Sequence, residues 1–103
     1  MMKEIMLLKY GSIISDKNIG EQVYSEIEEL LKKENKIEIN LYDIKSMATF
    51  NAKQIFGRLY LKLGSTSFYE RINVKNASEN IKLIIRMGIL SAIEEENLPP
   101  MPA

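Results

Sequence analysis

The chain contains no histidine, no cysteine and no tryptophan. Without histidine and cysteine, Ser–His and Cys–His nucleophilic pairs cannot form, and zinc sites built on imidazole or thiolate are excluded. The absence of cysteine also excludes a disulfide framework. Aspartate is scarce, since it occurs only at Asp16 and Asp43. We therefore expect no catalytic residue, no metal ligand and no cofactor, and hence a protein that is not an enzyme.

Long apolar runs and glycine-rich phosphate loops are also missing. No apolar run approaches the ~18 residues that a membrane span needs, and the first residues are interrupted by Lys9 and lack a signal-peptide cleavage site. Neither GxxxxGK[ST] nor GxGxxG occurs. We expect a cytoplasmic protein with neither a membrane nor a nucleic acid as its partner.

The balanced total charge conceals a segregation along the chain. Residues 1–44 contain six basic and nine acidic residues, whereas residues 45–86 contain eight basic and two acidic ones. Residues 87–103 add only three glutamates. The basic middle segment either faces an acidic partner or a phosphate, or its charges lie on several solvated faces and neutralise the acidic first helix; we favour the second interpretation.

A length of 103 residues is typical of one domain. Hydrophobic periodicity predicts an α/β fold with a mixed sheet of about four strands and three main helices packed on it. We expect the domain to span residues 1–96 and a Pro-rich, disordered tail to span 97–103. The predicted strands are 5–10, with a second arm at 12–14, then 37–42 and 71–75; the predicted helices follow Ser15 or Asp16, begin near Phe50 and follow Ser78.

The segment from Ile37 to Tyr60 joins a strand, a loop and an amphipathic helix. Thr49 or Asn51 is expected to cap this helix, because their side-chain oxygens can accept from the free N–H groups of the first turn. Phe50 is expected in the core, with an interface anchor as the alternative. The more exposed side of the helix is predicted to carry the polar residues Asn51, Lys53, Gln54 and Arg58.

Four stretches carry a resemblance to a known family: "ISDKNIG", "INLYDIKSM", "AKQIFGRLYLKLG" and "INVKNAS". With Gly11 they resemble the STAS domain of anti-sigma-factor antagonists and sulfate transporters. More closely, they resemble the bacterial STAS-like family of small uncharacterised proteins. The resemblance covers roughly residues 9–93 and implies a STAS-like α/β fold.

In anti-sigma-factor antagonists, a partner kinase phosphorylates a serine in the loop after the central strand. The resemblance places Phe50 at that serine and Asn40 at the usual aspartate, so Ser46 and Thr49 become the candidate phosphoacceptors or anion-site residues. It implies a regulatory, protein-binding module that exchanges partners with an ATPase-kinase. The interface implied for this role comprises Lys45, Thr49, Phe50, Asn51, Lys53, Gln54 and Arg58.

Two alternatives stay open at this point. The N-terminus of the second helix could bind an anion or nucleotide, or the chain could be an inhibitor or accessory protein from a mobile element that uses the same fold. A homodimer, formed through an exposed strand edge or the Met-bearing tail, is also left open.

Overall fold

The computed structural model describes residues 2–97, so most of the predicted tail, residues 98–103, lies outside the described part. Strands and helices alternate along the chain. Helix α2 covers residues 49–63 in three consecutive pieces, and the second of these is a π-helical turn. The elements are β1 (Lys3–Met6), a 3-10 turn (Leu7–Tyr10), β2 (Ile13–Ile14), α1 (Lys17–Lys33), β3 (Ile37–Asn40), β4 (Ser46–Met47), α2 (Thr49–Ala52, Lys53–Gly57 and Arg58–Leu63), α3 (Ser65–Arg71), β5 (Ile72–Lys75) and α4 (Glu79–Glu96).

The main sheet has three strands in the order β1-β3-β5, and β2 pairs separately with β4. Every strand pair in residues 2–97 is parallel, so the prediction of one mixed sheet of about four strands was wrong. Parallel strands need crossover connections, and α1 and α2–α3 supply them between β1, β3 and β5. The predicted first strand is shorter because its second half forms the 3-10 turn.

The two faces of the main sheet differ in polarity. Ile5, Ile37, Ile39 and Ile72 are buried on the face that packs in the common hydrophobic core. The alternate positions carry polar side chains; here Lys75 lies 3.7 Å from a carboxylate oxygen of Glu4 and 3.4 Å from one of Glu38, and Asn73 donates to Glu38. Because side chains alternate along a strand, a polar face lies opposite the core.

Local capping signals place the starts of two helices as predicted. The Asp16 carboxylate accepts from the backbone N–H groups of Asn18 and Ile19 at 2.7 and 3.0 Å, which starts α1. The Ser78 hydroxyl accepts from Ile81 N–H at 3.1 Å and starts α4.

The structure contains four helices in the described residues, rather than the three main helices that were expected. The additional helix is α3, with the sequence STSFYER, in a stretch where no helix was predicted. Gly64 separates it from α2 with a φ of 82°, a left-handed conformation that favours glycine. The ring of Phe68 is thereby buried, while that of Tyr69 stays exposed.

Helices α2 and α4 pack against each other with very small side chains at the contact. A Cβ atom placed on Gly88 would lie 2.5 Å from Ala52 C and from Lys53 N. One placed on Gly57 would lie 2.8 Å from Ala92 Cβ. The contact spans the π-helical turn. Such turns are uncommon within α-helices, and those that do occur are often found at functional sites.

Candidate functional site

The loop after the central strand β3 is held by backbone hydrogen bonds to β2 and to the residue just before it. Lys45 N–H donates to Ser12 O and Ala48 N–H donates to Ile14 O, both at 2.8 Å. Asp43 turns the chain with a φ of 59°. Ser46 is exposed on β4. The loop is therefore an ordered corner that presents the start of α2 at a fixed place.

Helix α2 begins without a side-chain cap. Its N-cap residue is Ala48, which has no side-chain hydrogen-bonding group, so the prediction of a Thr49 or Asn51 cap was wrong. Asn51 N–H bonds to Ala48 O, and no acceptor for Thr49 N–H or Phe50 N–H is found within residues 2–97. Thr49 is exposed beside these groups. Free N–H groups at a helix start favour a negative charge there.

Asn51 lies inside the molecule, not on the predicted exposed side. Its side chain is fully buried, and Nδ2 donates to Asp16 O at 3.0 Å and to Gln54 Oε1 at 3.1 Å. Oδ1 has no hydrogen-bond partner in the described residues. Asn51 precedes the buried Ile55 by four residues, so the two side chains lie on the same face of α2. Continuing the apolar face of the helix back by one turn from Ile55 would therefore have predicted that Asn51 is buried.

The next turn of α2 continues the connection to α1. Gln54 Nε2 donates to Lys17 O at 2.9 Å and to a Glu21 carboxylate oxygen at 3.1 Å. The two helices approach closely here, because a Cβ atom on Gly20 would overlap the Gln54 amide. Polar side chains that were expected to be available to a partner are thus partly used to join α2 to α1.

Arg58 and Glu21 form a two-contact ion pair between α2 and α1. Arg58 Nη1 lies 2.7 Å from Glu21 Oε1 and Nη2 lies 3.3 Å from Oε2. The guanidinium carbon also stands 3.6 Å from the centre of the Tyr24 ring. Hydrogen bonds from Arg58 and Gln54 lower the pKa of Glu21, and the hydrogen bond to Glu21 raises the pKa of Arg58. The Glu21 carboxylate and the Arg58 guanidinium are therefore both charged at neutral pH.

A groove of about 550 Å³ lies between α1, α2 and the last turns of α4. Phe50 forms part of its wall and is 51% exposed, so the expectation that Phe50 belongs to the core was wrong. Lys53 is ion-paired across the groove with Glu95. Of the predicted interface residues, the groove brings together Phe50, Lys53, Gln54 and Arg58.

The remaining predicted site residues lie elsewhere. Lys45 and Thr49 are exposed on the loop side but do not line the groove, and Lys45 pairs with Asp43 at 3.0 Å. Sequence reasoning missed the residues that α1 and α4 contribute. A partial signal existed in the charge segregation, because the basic middle segment was expected to neutralise the acidic first helix. The missed lining residues are Lys17 and Glu21 of α1, Ala92, Glu95 and Glu96 of α4, and also Leu61 of α2.

The intramolecular interpretation of the charge segregation agrees with the ion pairs. Arg58 and Lys62 of α2 pair with Glu21 and Glu28 of α1. The pKa values of four glutamates are lowered, which keeps these carboxyl groups ionised at neutral pH; they are Glu21, Glu26, Glu28 and Glu38. Residues 2–97 contain no group of three or more acidic residues placed to hold a metal ion.

No helix in the described part of the chain combines the length and the apolar character needed to cross a bilayer. Among curated proteins and among solved structures, no match was found. A family model described as "STAS-like domain of unknown function (DUF4325)" matches residues 20–82. The matched segment runs from α1 to the first turn of α4 and includes the whole of the loop and α2. The chain therefore belongs to this family of STAS-like domains.

Proposed function

We propose that the protein is a non-enzymatic, regulatory interaction module that docks a protein partner at the start of α2. The observation that carries the proposal is the exposure of Phe50 next to the groove between α1, α2 and α4. A half-exposed aromatic ring on the first turn of a helix offers a large apolar contact, and such rings anchor many protein interfaces.

The proposed docking surface is rigid before a partner arrives. Asn51, Gln54 and Arg58 fasten α2 to α1, while Lys45 and Ala48 fasten the preceding loop to β2. A surface that is already ordered loses little conformational entropy on binding. This supports docking of a folded partner on a preformed surface.

The geometry also supports regulation by phosphorylation. Thr49 is exposed at an uncapped helix start, where free N–H groups would donate hydrogen bonds to a phosphate that carries about −1.5 to −2 charges. The same charges would lie beside Phe50, where a docked partner would have to desolvate them. Phosphorylation of Thr49, or of the exposed Ser46, would thus release the partner without unfolding the domain. The partner class that fits this scheme is an ATPase-kinase of the anti-sigma type.

The proposal is tested with purified protein and candidate ATPase-kinases from the same organism. Binding of each kinase is measured by isothermal titration calorimetry with wild type and with Phe50→Asp. Met87→Asp is the matched control, because Met87 is 46% exposed on α4 and does not line the groove beside Phe50. We expect Phe50→Asp to weaken binding by at least about tenfold, which corresponds to about 1.4 kcal/mol, and Met87→Asp to leave it unchanged.

Intact-mass analysis after incubation with the bound kinase and ATP then tests the switch. We expect one added phosphate that is lost in Thr49→Val or in Ser46→Ala, and weaker kinase binding by the phosphorylated form. Equal affinity for wild type and Phe50→Asp would reject this docking surface. An active kinase that binds but adds no phosphate would reject the switch alone.

The uncapped start of α2 favours a second candidate function, the binding of a small anion or nucleotide. The first-turn N–H groups of Thr49 and Phe50 would be its donors. Lys45 and Lys53, the nearest cations along the chain, are already paired with Asp43 and Glu95, which is why this function ranks second. A thermal-shift series with phosphate, ATP and GTP tests it, since a ligand at about 100 times its dissociation constant adds about 2.7 kcal/mol of stability.

A further inference from the structure

Strand β5 has an open edge in the described structure. It pairs with β3 on one side, and no described strand pairs with its other side. Lys75 O accepts from Leu41 N–H of the segment after β3, whereas Ile72 N–H bonds to Phe68 O. Because backbone groups alternate in direction along a strand, the N–H and C=O of Val74 and the C=O of Ile72 point to the open side.

A second groove, of about 490 Å³, runs beside this edge and is bounded on its other side by α4. One end is aromatic: the rings of Tyr60, Phe68 and Tyr69 form a cluster with centroids 5.3 to 6.2 Å apart. Tyr69 is 69% exposed and Leu90 of α4 is 51% exposed. The groove therefore offers alternating apolar contacts along an open strand.

The charged residues that line this groove are both basic. They are Lys82 and Arg86 of α4. Lys82 pairs with Glu79 at 3.2 Å, but Arg86 has no side-chain hydrogen bond or ion pair with any residue of the range 2–97. Because only three residues separate the end of β5 from the start of α4, which returns along the strand, these cations lie toward the Val74 end and the aromatic cluster lies toward the Ile72 end.

We propose that this groove is a second docking site, which takes an extended segment of another protein as an added strand on β5. Such a segment would exchange backbone hydrogen bonds with Ile72 and Val74 and place alternate apolar side chains against Leu90 and the aromatic cluster. It would carry a carboxylate that pairs with Arg86. The positive charge of the groove favours an acidic segment. Arg86 has no side-chain partner among the described residues, and its guanidinium can donate two hydrogen bonds to one carboxylate.

The groove beside β5 differs from the docking surface proposed around Phe50 in its residues and in its mode of recognition. The α2 surface offers side chains on a helix, whereas the β5 edge offers backbone hydrogen bonds. A second copy of this chain could also pair along β5, but the groove has no acidic lining residue that could pair with Lys82 or Arg86 of the other copy. An acidic-ended apolar segment is therefore the better complement.

The test uses a display library of random linear peptides, selected on the full chain and then synthesised. We expect the selected peptides to alternate apolar residues and to share an acidic position. Wild type is compared with Leu90→Asp and with Leu83→Asp as matched control, because both leucines are about half exposed on α4 and only Leu90 lines the groove. Leu90→Asp is expected to reduce affinity at least about tenfold, a loss of about 1.4 kcal/mol, and Leu83→Asp to leave it unaltered.

Two further measurements separate strand addition from simple apolar adhesion. Only every second amide of a bound peptide faces β5. N-methylation of the amides that face β5 should therefore abolish binding, and N-methylation of the amides that face away should leave it unchanged. Arg86→Glu should prefer a peptide whose acidic residue is replaced by lysine. The proposal is overturned if no alternating acidic peptide is selected, if both sets of N-methylated amides act alike, or if light scattering shows that a β5-dependent dimer occupies the edge.

Discussion

Gly57 and Gly88 face each other where α2 crosses α4, and a Cβ atom on Gly57 would stand 2.9 Å from the Gly88 carbonyl oxygen. This separation is shorter than an ordinary carbon–oxygen contact, so the helices pack with backbone against backbone. The contact fixes the position of the π-helical turn of α2, which carries Lys53 and Gln54 into the groove.

Replacement of Gly88 by alanine is therefore expected to destabilise the protein, although alanine is the better helix former. The new methyl group would meet Ala52 C and Lys53 N, which are backbone atoms that cannot move aside. Overpacking of this kind costs about 1–3 kcal/mol, which exceeds the gain of roughly 1 kcal/mol from helix propensity. Chemical denaturation measures the unfolding free energy, with Asn80→Ala on the exposed side of α4 as control. A more stable Gly88→Ala protein would contradict the close crossing.

The buried amide of Asn51 leads to a prediction about two substitutions at one position. Asn51→Ala removes the bonds to Asp16 O and Gln54 Oε1 and should lower the unfolding free energy by about 1–3 kcal/mol. Asn51→Asp should lower it further, because a carboxylate would face those two acceptor oxygens without a donor. Both values come from urea denaturation. If the aspartate variant proved as stable as the alanine variant, the orientation of the amide would be wrong.

Removal of the Arg58 guanidinium should raise the pKa of Glu21 toward its ordinary value of 4.5. The sign follows from the hydrogen bonds and charge of Arg58, which favour the ionised carboxylate. A carboxyl group with a lowered folded pKa stabilises the fold above its unfolded pKa, and this contribution disappears as pH falls through the folded pKa. Carboxyl NMR titration of Arg58→Ala measures the shift. Lys62→Ala is the matched control, since it should raise the pKa of Glu28 and leave that of Glu21 in place.

Tyr10 should titrate later in the folded protein than in the unfolded chain. Burial, together with the hydrogen bond to Glu26, raises its pKa from 10.0 to about 12. The unfolded chain loses this proton near pH 10 and the folded chain keeps it, so the unfolded state binds fewer protons in between. The stabilisation is complete below pH 10 and is lost as pH rises toward 12. Ultraviolet titration of the five tyrosines should show a late step that Tyr10→Phe removes.

Local signals predicted the features of the fold that depend on a few neighbouring residues. The caps at Asp16 and Ser78 and the strands β3 and β5 are set by residue type and by short-range alternation. The pairing of the strands is not local, which is why the mixed sheet was wrong. Helix α3 was missed because its serine- and threonine-rich start also occurs in connectors.

The errors at the candidate site share one cause. The predicted side-chain cap at Thr49 or Asn51 left the first turn of α2 out of the apolar face of the helix. Phe50 was therefore expected to be buried and Asn51 exposed, whereas the structure shows the opposite. The apolar face itself, read back from Ile55, gives the observed arrangement. The opposite walls of the groove come from α1 and α4, and no pattern within the loop and α2 could have supplied them.

Helix α4 is a wall of both grooves, with Ala92 and Glu95 toward the first and Leu90 and Ile93 toward the second. Its backbone contact with α2 leaves no free space between the two helices at the crossing. An occupant that tilts α4 on one side must therefore reshape the opposite side. Thermodynamic reciprocity then requires that each occupant alter the affinity of the other by the same factor.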